Sequence, residues 1–113
     1  MITIYHNNRC RKSREGLQIL ENSGKEFQVI NYLDNSPTIK DLKYIINLLH
    51  IKPMDLVRKN ESIWKEKYKD KELSDADVLK AMATYPKLIE RPIVINGTKA
   101  VIGRPPEKIL EII

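Results

Sequence analysis

Cys10 is the residue whose type and surroundings most clearly allow chemistry, and it is the single cysteine among 113 residues. A short apolar run from Ile2 to Tyr5 precedes it, and a helical pattern begins at about Ser13. Cys10 is therefore expected where the loop after a strand meets the start of a helix. A helix N-terminus presents unpaired N–H groups and a partial positive charge, so it favours the nucleophilic thiolate over the thiol.

Positive charge is concentrated around this cysteine. The basic residues close to it in sequence are Arg9, Arg11, Lys12 and Arg14. Free cysteines are often small buried apolar residues, but flanking arginines resist burial and favour a reactive Cys10. The same cluster is also compatible with a solvated face or with contacts to a phosphate backbone. Ser13 could donate its hydroxyl to the sulfur or help to cap the turn.

The possible partners of Cys10 exclude several kinds of site. One cysteine cannot form an internal disulfide, and Ser13 occupies the second position of a would-be Cys-x-x-Cys motif. A Cys-x5-Arg phosphatase loop fails because Gly16 stands where arginine is needed. Together with His6 and His50, Cys10 cannot build a four-ligand structural zinc site without carboxylates or a second chain, and no metal site is expected. If Cys10 is oxidised or carries an adduct during turnover, an external thiol must complete the cycle.

Length and composition indicate one compact globular domain. The chain is 42% hydrophobic and 31% charged, which is ordinary for a soluble protein and argues against disorder. No stretch approaches the roughly 20 apolar residues of a membrane-spanning helix, and Met1 to His6 lack the character of a signal peptide, so we expect a cytoplasmic protein. The net charge of +5 favours an anionic partner, whether nucleic acid, membrane or a small oxyanion.

Periodicity and turn residues place the elements that must position Cys10. In chain order they are a strand over 2–5, a helix from about 13 to 23, a strand over 27–30, a helix capped by Thr38 and Asp41, a polar helix or turn over 62–68, a helix capped by Ser74, strands over 91–95 and 98–102 joined at Asn96-Gly97, and a last helix opened by Pro105-Pro106. This order predicts an α/β fold with a mixed sheet and helices packed on it. The strand–loop–helix corner with a cysteine at the helix start is the arrangement of thioredoxin, with a helical insertion over about 38–85.

Four segments resemble the motifs of one enzyme family, the glutaredoxin-coupled arsenate reductases (ArsC-like). The first, residues 5–14, reads YHNNRCRKSR and resembles the active-site segment of that family. The others are LVRKNE over residues 56–61, LIERPIV over residues 88–94 and IGRPPE over residues 102–107. The four motifs occur in the family's order and span nearly the whole chain.

The resemblance implies a thioredoxin-like fold with a four-stranded mixed sheet and an inserted helical lobe, in one domain over residues 1–113. It implies that Cys10 is the nucleophile toward arsenate and that His6 and Ser13 tune its thiolate. The arginines that match the family's oxyanion-binding positions are Arg58, Arg91 and Arg104. Pro92 matches the cis-proline of thioredoxin-like folds, which lies beside the catalytic sulfur. Because guanidinium groups stay charged and offer paired donors, they suit a tetrahedral oxyanion such as arsenate.

The reaction implied by the resemblance is the reduction of arsenate to arsenite. Arsenate forms an adduct on the cysteine, glutathione attacks the adduct as a co-substrate, and glutaredoxin completes the reduction. No bound cofactor and no membrane or nucleic-acid partner is expected. The chain departs from the family at Asn8, where many members have proline, and this predicts a less constrained loop.

Two other functions stay open from the sequence. Regulators of the Spx type share this fold and bind RNA polymerase, but they usually keep Cys-x-x-Cys and lack the Arg-Pro-Pro-Glu segment, whereas this chain has Ser13 and retains residues 104–107. A monothiol oxidoreductase acting on glutathione mixed disulfides is the other alternative. Such an enzyme has no need of three oxyanion-binding arginines.

Overall fold

The structure is a computed structural model that describes residues 1–113. Its single sheet consists of β1 (Ile2–His6), β2 (Phe27–Asn31), β3 (Ile93–Asn96) and β4 (Lys99–Ile102). The strands lie in the order β2-β1-β3-β4, with β2 parallel to β1 and the other two pairings antiparallel. The predicted α/β fold with a mixed four-stranded sheet is confirmed.

Helix α1 (Arg11–Ser23) connects β1 to β2 and positions the cysteine. It begins earlier than the predicted start at about Ser13, so Cys10 itself is the N-cap residue. The helix ends at Gly24, whose φ of 72° is the left-handed conformation that glycine adopts without a Cβ clash. Buried Leu20 of α1 packs with Ile4 and Val94 of the sheet, and this apolar contact fixes the helix on the strands.

The last helix, expected to open at Pro105-Pro106, is a 3-10 helix over Pro106–Glu111. This 3-10 run of six residues is longer than the usual three or four. The segment packs on α1 where Gly16 permits a close approach. A Cβ at Gly16 would lie 2.9 Å from Pro92 Cγ and 3.0 Å from Ile109 Cδ1. The absence of a side chain at this position therefore lets Pro92 lie against the helix that begins at the cysteine.

The hairpin turn lies one residue later than predicted. Asn96 pairs with Lys99 in the ladder between β3 and β4, so Gly97 and Thr98 form the connection. Gly97 has a φ of 64°, which accounts for glycine at the first position of the turn.

The chain divides into two compact units, residues 1–35 with 91–113 and residues 36–90. The first unit contains the sheet and α1. The second contains α2 (Ile39–Leu49), α3 (Ser62–Lys67) and α4 (Asp75–Thr84), and it includes the range of about 38–85 predicted as an insertion. Thr38 and Ser74 form capping boxes at the starts of α2 and α4, as predicted. None of the helices has the length and apolar character that crossing a bilayer requires.

Candidate active site

Cys10 stands at the N-cap of α1 with an extended backbone, φ −96° and ψ 122°. Its carbonyl accepts the first helical hydrogen bond, from the Arg14 N–H at 3.0 Å. The side chain is partly exposed. A thiol in this position is reachable by a small molecule, which the alternative of a buried structural cysteine would not allow.

Two of the predicted arginines converge on the sulfur. Arg104 Nη2 lies 3.7 Å from Cys10 Sγ, and the Arg91 side chain also donates a hydrogen bond to the sulfur. Arg104 Nε donates to the Arg91 carbonyl at 2.9 Å, so one arginine orients the other. Arg91 is only 8% exposed, which keeps its charge close to the thiol and away from bulk solvent.

These arginines each precede a proline at an end of the β3–β4 hairpin. The Arg91–Pro92 peptide bond is cis, the geometry that the family resemblance implies for Pro92. The Arg104–Pro105 bond is also cis, which the sequence did not suggest. The Gly103 N–H donates to the Pro92 carbonyl at 2.8 Å and ties the two segments together. Sequence positions 91 and 104 are thereby brought to the same place beside Cys10.

The surroundings of Cys10 lower its pKa below that of an ordinary thiol. Partial burial is the largest single influence and raises the pKa, but the backbone N–H of Ser13, the hydrogen bond and charge of Arg91 and the charge of Arg104 together outweigh it. Ser13 N–H does not close an ordinary capping hydrogen bond with the thiol, yet its dipole still favours the thiolate. The thiolate form of Cys10 is therefore favoured by two guanidinium groups and one backbone N–H.

His6 and Ser13 contact each other rather than the sulfur. Ser13 Oγ lies 2.6 Å from His6 Nδ1 and accepts the Asn7 N–H at 3.0 Å, while His6 Nε2 bonds to Asn8 Oδ1. Both His6 and Ser13 are almost completely buried. No hydrogen bond joins the Ser13 hydroxyl to Cys10, so the expectation that this hydroxyl donates to the sulfur is wrong. It is the backbone N–H of Ser13 that acts on the thiol.

The loop before the cysteine, which contains Asn8, makes several hydrogen bonds of its own. Asn7 Oδ1 accepts the Arg9 N–H at 2.9 Å, and the Asn7 carbonyl accepts the Cys10 N–H at 3.0 Å. Arg14 Nη1 donates to the Asn8 carbonyl at 2.9 Å. The less constrained loop expected from Asn8 stays a prediction. The Asn-Asn pair is the sequence signal for such a loop, since asparagine side chains readily bond nearby backbone groups.

Arg58 lies in the second unit, residues 36–90. Its Nε is 3.8 Å from Glu61 Oε1 and 4.0 Å from Glu90 Oε1, and its backbone N–H donates to the Leu88 carbonyl at 2.7 Å. Within that unit Arg58 is thus held between two carboxylates. Its predicted contact with the oxyanion stays a prediction.

No group of three or more His, Cys, Asp or Glu side chains is arranged to hold a metal ion.

Comparison with known proteins gives consistent matches over nearly the whole chain. The model of the ArsC family matches residues 5–112. The chain is 43% identical over 114 residues to a Haemophilus influenzae protein named arsenate reductase, covering 99% of this chain and 98% of that protein. It is also 43% identical over 116 residues to the uncharacterised Escherichia coli protein YfgD, covering 99% and 96% of the two chains. The solved structure of an arsenate reductase from Vibrio cholerae matches with a TM-score of 0.95 and 46% identity, covering 99% of this chain and 97% of that one.

Proposed function

The chain belongs to the ArsC family, and from that premise we propose that it is a thiol-dependent reductase that converts arsenate to arsenite through Cys10. The observation that carries the proposal is a partly exposed thiol with a lowered pKa and two arginines directed at its sulfur. Relatives at 42–43% identity bear the name arsenate reductase.

Arg91 and Arg104 supply the binding energy for the oxyanion. Arsenate is a tetrahedral anion, and guanidinium donors form charge-assisted hydrogen bonds with its oxygens. The arginine donors that point at the sulfur border the space that the arsenate oxygens must occupy when arsenic approaches that sulfur. Arg58 is proposed as the third arginine of the site, on the strength of its motif.

The first chemical step is displacement at arsenic by the Cys10 thiolate. A bond forms between sulfur and As(V), and one arsenate oxygen leaves as water after protonation. A first thiol then adds to arsenic and displaces a second water. A second thiol attacks the sulfur of the first, the electron pair of the As–S bond passes to arsenic, and As(V) becomes As(III). Hydrolysis of the Cys10–As(III) bond releases arsenite and regenerates the thiol. In sum, arsenate and two thiols give arsenite, one disulfide and water.

Glutathione and glutaredoxin are proposed as the two thiols. Cys10 has no second cysteine within these residues to form the disulfide, so the two electrons must come from external thiols. The family resemblance supports glutathione as the first thiol and glutaredoxin as the second. The reducing cytoplasm is the compartment in which such thiols stay available.

Arsenite release tests the proposal directly. The protein is incubated with arsenate, glutathione and glutaredoxin, and arsenite is measured over time beside the Cys10→Ser variant. Wild-type protein is expected to turn over repeatedly and the variant to release nothing above the protein-free rate. Equal arsenite release by both proteins would contradict the assignment. Reduction of a glutathionylated peptide without arsenate turnover would favour the monothiol oxidoreductase instead, and polymerase binding without arsenate turnover would favour the Spx-type regulator.

A further inference from the structure

One backbone N–H restricts the directions open to the hydrogen bonds in the network formed by Asn7, Ser13, His6 and Asn8. The Asn7 N–H can only donate, and it donates to Ser13 Oγ at 3.0 Å. The other partner of that oxygen is His6 Nδ1 at 2.6 Å, and no further acceptor lies within hydrogen-bond distance. Ser13 is fully buried, so its hydroxyl hydrogen needs an internal acceptor. The arrangement that satisfies this hydrogen is the one in which it points to His6 Nδ1.

The direction of the serine hydroxyl and the acceptor oxygen of Asn8 together favour one tautomer of the histidine. If Nδ1 accepts a hydrogen bond, a neutral imidazole carries its proton on Nε2. Nε2 faces Asn8 Oδ1, which can only accept, so both ends of the ring are satisfied. The opposite tautomer would make Nδ1 and Asn7 both donate to Ser13 Oγ. The buried serine hydrogen would then have no acceptor, which is unfavourable.

We propose that Asn8 is a positioning residue whose side-chain oxygen, together with the Ser13 hydroxyl, holds the buried His6 ring in the Nε2–H tautomer. The sulfur then depends on the Ser13 backbone N–H and on Arg91 and Arg104 for its donors. This positioning role of Asn8 does not depend on which oxyanion the enzyme reduces.

The location of Asn8 allows the role to be tested without endangering the fold. Asn8 is exposed, whereas His6 is 1% exposed, so truncating Asn8 removes no buried packing. Asn31 provides a matched control. It pairs with His6 in the register of β1 and β2 and lines the same cavity of about 330 Å³ as His6 and Asn8, but makes no side-chain hydrogen bond to His6.

The experiment is a long-range ¹H–¹⁵N correlation of the imidazole rings in the ¹⁵N-labelled full chain, recorded at about pH 8.5, well above the ordinary histidine pKa of ~6.5. Exposed His50 provides, in the same spectrum, the reference for an imidazole in solvent. Wild type and Asn31→Ala are expected to show His6 only as the Nε2–H tautomer. Asn8→Asp, which retains an acceptor oxygen, should show the same tautomer. Asn8→Ala should give a mixture in which Nδ1–H is populated.

Two results would overturn the proposal. One is a wild-type His6 with its proton on Nδ1, which would mean that Asn8 presents its amide nitrogen. The other is an unchanged His6 spectrum in Asn8→Ala, which would mean that the serine alone sets the tautomer. Backbone resonances of each variant report whether the fold is retained. No arsenate is present in the measurement, so its outcome is separate from that of the arsenite assay.

Discussion

Replacement of Ser13 by alanine tests how much the buried network contributes to stability. The serine hydroxyl satisfies two groups at once, the Asn7 N–H at 3.0 Å and His6 Nδ1 at 2.6 Å. Alanine fits the space because it only removes the oxygen. The variant leaves the Asn7 N–H and His6 Nδ1 buried without the hydroxyl that satisfied both of them.

The expected loss of stability follows from those two groups. A buried polar group left unsatisfied costs about 1–3 kcal/mol. With partial relaxation of the loop, the two together lower the free energy of unfolding by about 2–4 kcal/mol. This is a large share of the ~5–15 kcal/mol typical of a domain. The second change His6→Leu, added to Ser13→Ala, should recover about 1–2 kcal/mol relative to the additive sum, because the unsatisfied ring nitrogen is then gone as well.

Urea denaturation followed by circular dichroism measures these differences. Ser23→Ala is the matched control, since the Ser23 hydroxyl donates to the Leu20 carbonyl at 2.7 Å in a partly exposed place. That variant should lose only about 0.5–1.5 kcal/mol. If Ser13→Ala costs no more than Ser23→Ala, or if the double variant is strictly additive, the network does not have the direction and burial described here.

Three further predictions concern charge. Because the pKa of Cys10 is lowered, its alkylation by iodoacetamide should reach half of its maximal rate at a lower pH than the alkylation of glutathione in the same buffer. A midpoint pH at or above that of glutathione would refute the activation. Arg104→Ala should lower kcat/KM for arsenate by about 10- to 100-fold, since a charge-assisted hydrogen bond contributes about 1.5–3 kcal/mol. The control Arg11→Ala changes an exposed arginine and should stay near wild type. Equal losses in the two variants would mean that the effect is not specific to Arg104. Hydrogen bonds from the backbone and hydroxyl of Ser74 lower the pKa of Asp77. The capping contribution to stability is therefore present above the ordinary aspartate pKa and is lost as pH falls through the lower pKa of the folded state. Asp77→Asn should make the free energy of unfolding less dependent on pH in the acid range, and an unchanged dependence would contradict this.

The sequence alone predicts the features of this molecule that depend on local pattern. The Thr38 and Ser74 caps follow from residues three positions apart, and the strands follow from short apolar runs between turn formers. The place of Cys10 follows from the strand before it and the helix after it. The association of Arg91 and Arg104 with Cys10 was implied by motif resemblance, because nothing in the spacing of those residues requires it.

What the sequence could not predict depends on contacts between side chains that the fold brings together. A serine hydroxyl has several acceptors within reach in any loop, and only the buried position of His6 beside Ser13 selects one of them. The role of Asn8 is hidden for the same reason, since its partner lies on the end of β1. Periodicity does not report the helix type at Pro106–Glu111, and length does not decide it either, since α3 has the same six residues and is α-helical.

Protection of Cys10 from alkylation by arsenate is the most direct measurement of the claim that this sulfur and its two arginines form an oxyanion site. The rate of iodoacetamide labelling is followed with increasing arsenate in wild type and in Arg104→Ala. Saturable slowing in the wild type, with a weaker effect in the variant, is the predicted result. Labelling that proceeds at the same rate at every arsenate concentration would contradict it.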